Sequence, residues 1–161
     1  MSTLNSCDMI QHSSLTRDLT ADQCTALAQL CQLRELADHE LLFQEGDADQ
    51  TLYIVGDGAL AVERVTSGGD VITLHILRAG DLAGELGFID GTEHSASLRA
   101  VGKTSVVCIE RKDVEKLLQT RPEVVYGLMR GIIRTVHRIL RRMNLQNIEL
   151  SNYITKTHGR Y

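Results

Sequence analysis

Gly80-Asp81-Leu82-Ala83-Gly84-Glu85-Leu86-Gly87-Phe88-Ile89-Asp90-Gly91-Thr92-Glu93-His94-Ser95-Ala96-Ser97-Leu98-Arg99-Ala100 is the stretch on which the fold turns. It reads as a glycine-rich turn that runs into a short helix and leaves as a strand. Such a turn aims backbone N–H groups, here those of Glu85 to Gly87, at one point where an anion can sit. The Glu85 carboxylate in the same turn is badly placed for a phosphate and well suited to accept hydrogen bonds from a ribose hydroxyl. Simple capping of the helix turn is the alternative role for Glu85.

Outward from this stretch, residues from about Leu41 to Ile109 form short β-rich runs: Leu41 to Phe43, Leu52 to Val55, Ala59 to Val65, Val71 to Leu77, Ala96 to Ala100 and Ser105 to Ile109. Their breaks, at Glu45-Gly46-Asp47, Gly56-Asp57-Gly58, Ser67-Gly68-Gly69-Asp70 and Ala79-Gly80-Asp81, are turn chemistry. Turns recurring about every ten residues predict an antiparallel sandwich or barrel. Before the strands, Thr20 opens a helix with Gln23 completing a capping box. Residues 1–19 show no sustained periodicity and are expected to be a flexible lead-in, tied down at most by Leu15.

After Ile109 a short helix, Asp113 to Gln119, is expected to stop before Pro122, the chain's single proline. The last helix, Glu123 to about Leu150, carries the strongest periodicity. Val125, Met129, Ile132, Val136, Ile139, Met143, Gln146, Leu150 and Tyr153 form a heptad stripe with one polar interruption, and Val124, Leu128, Ile133 and Leu140 lie beside it. One line can pack on the β-structure while the other meets a second copy, which predicts a homodimer; residues 151–161 are read as a tail.

With 161 residues and 43% apolar side chains the chain supports one core. No segment reaches the roughly 20 apolar residues that span a bilayer, and Met1 to Leu15 lack a signal-peptide pattern. Cys7, Cys24, Cys31 and Cys108 contain no C-x-x-C pair and read as reduced packing residues of a cytoplasmic protein. Residues 121–161 carry eight Lys/Arg against two Glu, so an acidic body, with nine Lys/Arg against nineteen Asp/Glu, bears a basic end. Arg130, Arg134, Arg138, Arg141 and Arg142 are expected on a solvated helix face, or one answering the acidic body. The six histidines are scattered singly, without metal-site spacing.

The run Gly80 to Ala100, together with Leu42-Phe43-Gln44-Glu45-Gly46-Asp47, Leu52-Tyr53-Ile54-Val55 and Gly58, resembles the cyclic nucleotide-binding domain family over roughly residues 16–145. The resemblance implies a mainly β fold, an antiparallel β-roll or jelly-roll with flanking helices, in which residues 20–122 form the sensor, 84–96 the phosphate-binding cassette and 123–150 the dimerisation helix. It also implies ligand-binding roles for Gly84, Glu85, Leu86, Gly87, Ser95 and Ala96. His94 stands where the family carries an arginine for the cyclic phosphate; Val62 and Leu74 complete the candidate set. A guanidinium is permanently charged and bidentate, whereas an imidazole with a reference pKa of about 6.5 is partly charged at neutral pH. The expected ligand is cyclic AMP, cyclic GMP or another small anion, bound more weakly than usual and more tightly as pH falls from about 8 to about 6.

The function expected is therefore a non-enzymatic regulatory sensor that signals to an effector protein, without a resident cofactor, metal or membrane. The alternative is a dimeric scaffold that no longer binds ligand. About ten residues follow the long helix, which predicts no helix-turn-helix domain and no specific DNA binding.

Overall fold

The computed structural model describes residues 6–158, with side chains to 156; residues 1–5 of the expected lead-in and 159–161 of the tail lie outside it. The order is α1 (Ser6–Gln11), a 3₁₀ turn (Thr16–Asp18), α2 (Ala21–Ala28), β1 (Gln32–Leu36), β2 (Leu41–Phe43), β3 (Thr51–Val65), β4 (Val71–Arg78), β5 (Leu82–Ala83), α3 (Glu85–Asp90), β6 (Ser97–Glu110), α4 (Arg111–Thr120) and α5 (Pro122–His158). The strands pair antiparallel in the order β1-β6-β3-β4, with β2 added to β6 and β5 to β3. This is the β-roll with flanking helices and a long C-terminal helix that the sequence predicts.

Side-chain alternation along β3 and β6 divides the interior into two cores. Leu52 and Ile54 of β3, with Val107 and Ile109 of β6, pack against Ile10, Leu27, Val124, Leu128 and Ile132 of the helices. Tyr53 and Val55, with Val106 and Leu98, fill the inside of the roll with Leu36, Leu60 and Val62. The double burial explains why β3 reads as apolar on both faces.

Four elements differ from the sequence pattern. Gly56-Asp57-Gly58 does not break the strand: β3 runs through it with register shifts between Val55, Asp57 and Ala59, because an irregular pair to β6 absorbs the extra residues. Ala96 to Ala100 and Ser105 to Ile109 are likewise one strand, β6. Strand β1 was hidden by its composition: Gln32-Leu33-Arg34-Glu35-Leu36 buries its last residue alone. Helix α5 continues past Leu150 to His158, so most of the expected tail is helical.

The lead-in differs most. From residue 6 it folds into α1 and the 3₁₀ turn, with Met9, Ile10 and Leu15 buried. Helix α5 accommodates it through small residues: a Cβ on Gly131 would stand 3.0 Å from the Leu15 carbonyl oxygen, and one on Gly127 only 2.4 Å from Leu19 Cδ2. Thr135 Oγ1 continues the contact with a 3.0 Å hydrogen bond to Ser14 Oγ. Asp18, 13% exposed, takes both terminal nitrogens of Arg134, with Arg130 3.8 Å away. Two arginines of the expected solvated stripe are thus neutralised by the N-terminal segment.

Candidate functional site

The cassette begins where β5 ends. Gly84 has φ +75°, and a Cβ there would lie 2.8 Å from the Thr51 carbonyl oxygen and 3.0 Å from the Tyr53 ring, so both conformation and space demand glycine. Helix α3 follows at once, its first intrahelical bond running from Phe88 N–H to the Gly84 carbonyl (2.9 Å). The N–H groups of Glu85, Leu86 and Gly87 precede that bond and have no acceptor in the helix. Gly87 is held against the loop before β3, where a Cβ would be 2.7 Å from the Asp49 carbonyl oxygen.

The turn that carries them borders a cleft of about 220 Å³. Of the candidate residues, Gly84, Glu85, Leu86, Gly87, His94, Ser95, Ala96 and Val62 line it together. Leu74 does not: it is half exposed, and its neighbour His75 lines the cleft instead. The bulge between Val62 and Glu63 against β4 pairs Val62 with His75, which sets the alternation of β4 one residue out of the expected phase. Phe43, Leu77, Glu93 and Ile139 add to the walls, as do Leu82, Ala83 and Leu98. Phe43 carries no polar signal that would single it out from core residues, while Glu93 lies in the quoted turn and Ile139 is in the apolar stretch of α5 that the family resemblance sets against the base. No hydrogen bond or ion pair engages the Glu85 carboxylate or the Ser95 hydroxyl among the described residues.

His94 is the most constrained member. Its ring is stacked on Phe43 with centroids 3.6 Å apart, and its Nε2 lies 3.0 Å from Asp49 Oδ2. Asp49 also accepts from the Tyr53 hydroxyl (2.9 Å) and the Thr51 N–H (3.0 Å). Burial pushes the Asp49 carboxyl up, but the bonds from His94, Thr51 and Tyr53 outweigh it and hold it below its ordinary value of 3.8. Asp49 is therefore an anion, and His94 Nε2 must donate to it. The backbone locks the same junction, with His94 N–H donating to Asp47 O and Gly46 N–H to His94 O, each at 2.8 Å.

Among the described residues no lysine or arginine lines the cleft; its charged and titratable groups are Glu85, Glu93, His75 and His94. Arg99, five residues beyond His94, is turned outward onto Glu63 (3.1 Å) and the His39 carbonyl (2.9 Å). Among the described residues no cluster of three or more His, Cys, Asp or Glu could hold a metal. The four cysteines are free thiols. Burial pushes Cys31 up to about 12 and Cys108 to about 11, so neither is a thiolate at neutral pH.

The same architecture occurs in known proteins. The chain is 29% identical over 137 residues to the cyclic AMP receptor protein of Thermus thermophilus, covering 85% of this chain and 63% of that protein. It is also 28% identical over 142 residues to the neuropathy target esterase sws of Drosophila virilis, covering 80% of this chain and 10% of the esterase. The chain thus spans less than two thirds of these relatives. Among solved structures, the Thermus thermophilus catabolite activator protein superposes with a TM-score of 0.72 at 30% identity, over 86% of this chain and 63% of that one. The N-terminal domain of a transcriptional regulator from Streptomyces coelicolor A3(2) gives 0.73 at 26%, over 84% and 95%. Residues 33–121 match the family model of the cyclic nucleotide-binding domain, and the chain belongs to that family.

Proposed function

We propose that the chain is a non-enzymatic regulatory sensor in which a small anionic ligand, cyclic AMP or cyclic GMP, enters the cassette and acts through α5 on a second copy of the chain. One observation carries this reading: the unclaimed first-turn amides of α3 and the unpaired Glu85 carboxylate line one cleft, as donors for a phosphate and an acceptor for a sugar hydroxyl. Ile139 of α5 closes the same cleft, so occupancy bears directly on the helix. The relatives named for cyclic AMP support the ligand class. Among the described residues no helix is long and apolar enough to cross a membrane, and the free thiols agree with a cytoplasmic setting.

Affinity is set low by the missing guanidinium. A charge-assisted hydrogen bond contributes roughly 1.5–3 kcal/mol, so its absence weakens binding about tenfold to a hundredfold. His94 offers only its Nδ1 edge, because Nε2 serves Asp49. Calorimetric titration should show weak binding of cyclic AMP at neutral pH. His94→Arg alone should gain little, since Asp49 would capture the guanidinium; His94→Arg with Asp49→Asn should tighten binding at least tenfold. Submicromolar binding by the unmodified protein, with no gain in the double variant, would exclude position 94 as the phosphate partner.

A dimeric scaffold without ligand is the second reading. It is favoured by the size of the cleft, below the roughly 300–1,000 Å³ of ordinary small-molecule sites. No heat with either nucleotide for the double variant establishes that reading.

A further inference from the structure

A second, polar cleft of about 380 Å³ lies between the N-terminal segment, the turn before β5 and α5, separate from the cassette. Arg17 and His12 face it from the N-terminal segment, Arg138 from α5, and Gly80 and Asp81 from the turn. Its charge balance differs from that of its surroundings. Arg130 and Arg134, two turns and one turn earlier on α5, are matched by Asp18. Arg138 and Arg17 have no ion pair or hydrogen bond among the described residues.

The polar groups around them are largely committed elsewhere. Ser13 Oγ donates to Ile10 O (2.6 Å) and Thr16 Oγ1 to Gln11 O (3.0 Å). Ser14 keeps a proton to give when Thr135 donates to it. His12 Nδ1 donates to the Asp8 carbonyl (2.7 Å), leaving Nε2 toward the cleft. The one carboxylate in the lining, Asp81, accepts from the Arg78 N–H (2.9 Å).

We propose that this cleft binds the phosphate group of a small soluble molecule, held between the guanidinium groups of Arg17 and Arg138 with Ser14 as a further donor. Two planar forks arriving from different elements suit a tetrahedral group with three oxygens, whereas a planar carboxylate engages one fork. Such a ligand ties together the parts that also frame the cassette. The Gly80-Asp81 turn continues through Leu82 and Ala83 into Gly84, and Arg138 adjoins Ile139.

Pyrophosphate titrated into the full chain at low ionic strength, followed by amide shifts in NMR, tests the site. Saturable shifts at Ser13, Ser14 and Gly80 are expected. Arg17→Gln and Arg138→Gln should each weaken binding tenfold or more while melting temperatures stay unchanged, both side chains being on the surface. Shifts confined to Gly84 through Gly87, shifts that spread along Arg130 to Arg142 without saturating, or binding indifferent to both substitutions would overturn the proposal. Phosphatidylcholine vesicles doped with phosphatidic acid form the second arm: retention on vesicles without binding of free pyrophosphate also overturns it, by assigning the basic surface to lipid.

Discussion

In the first half of α5, Val124, Leu128 and Ile132 are fully buried, whereas in the second half Met143, Ile148 and Leu150 are each more than half exposed. Both halves carry apolar residues at helical spacing. The difference lies in what covers them: the β-roll, α2, α4 and the 3₁₀ turn reach only the proximal turns, and a helix of 37 residues is about 55 Å long. Periodicity therefore reports that a face is apolar and leaves its partner open. For the distal half the partner we infer is a second copy of the same helix.

The largest effect is expected in the proximal half. Leu128→Ala should cost about 2–5 kcal/mol in chemical denaturation, because it opens a cavity in a closed core. Leu150→Ala should leave the stability of the isolated chain within about 0.5 kcal/mol. Equal losses from the two substitutions at a dilution where the chain is monomeric would erase the distinction.

Met143→Glu with Leu150→Glu should halve the mass seen by light scattering at micromolar concentration, without loss of helical signal beyond the distal turns. An unmodified chain that is already monomeric would remove the second copy from the account. A smaller effect follows from the strap that covers the proximal half. Asp18→Asn, which leaves Arg134 and Arg130 facing each other without a counter-ion, should lower stability by about 1–3 kcal/mol and increase protease sensitivity of residues 6–19. Unchanged stability would return those arginines to the role of a solvated stripe.

The smallest effect is pH-dependent. Asp49 is held below its ordinary value in the folded state, so its ionised form stabilises the fold above about pH 4, and that contribution is lost as pH falls through the lower folded value. Asp49→Asn should therefore be less stable than the unmodified chain at pH 7, and the gap should close under acid. A constant gap down to pH 2 would mean that the loss is one of packing.

The glycine pattern around Gly84 made the cassette legible, because a left-handed turn with no room for a Cβ leaves one residue type available. The strands were legible as runs but not in extent, since the bulges around Asp57 look in sequence like turns. The anchoring of residues 6–18 was not legible at all. Met9, Ile10 and Leu15 are too few to show a period, and their counterparts Gly127, Gly131 and Thr135 lie more than a hundred residues away. His94 was found as a departure from the family pattern, yet its tie to Asp49 depends on a contact between two loops that spacing cannot reveal.

The proposed function stands or falls with ligand entry into the cassette. Amide shifts on titration with cyclic AMP at pH 6 test it most directly, residue by residue. The account predicts saturable shifts at Gly84 through Gly87, at Ser95 and Ala96, and at Ile139, abolished by Glu85→Ala. Resonances of the cassette that stay still up to millimolar nucleotide, or shifts that persist in Glu85→Ala, would contradict it.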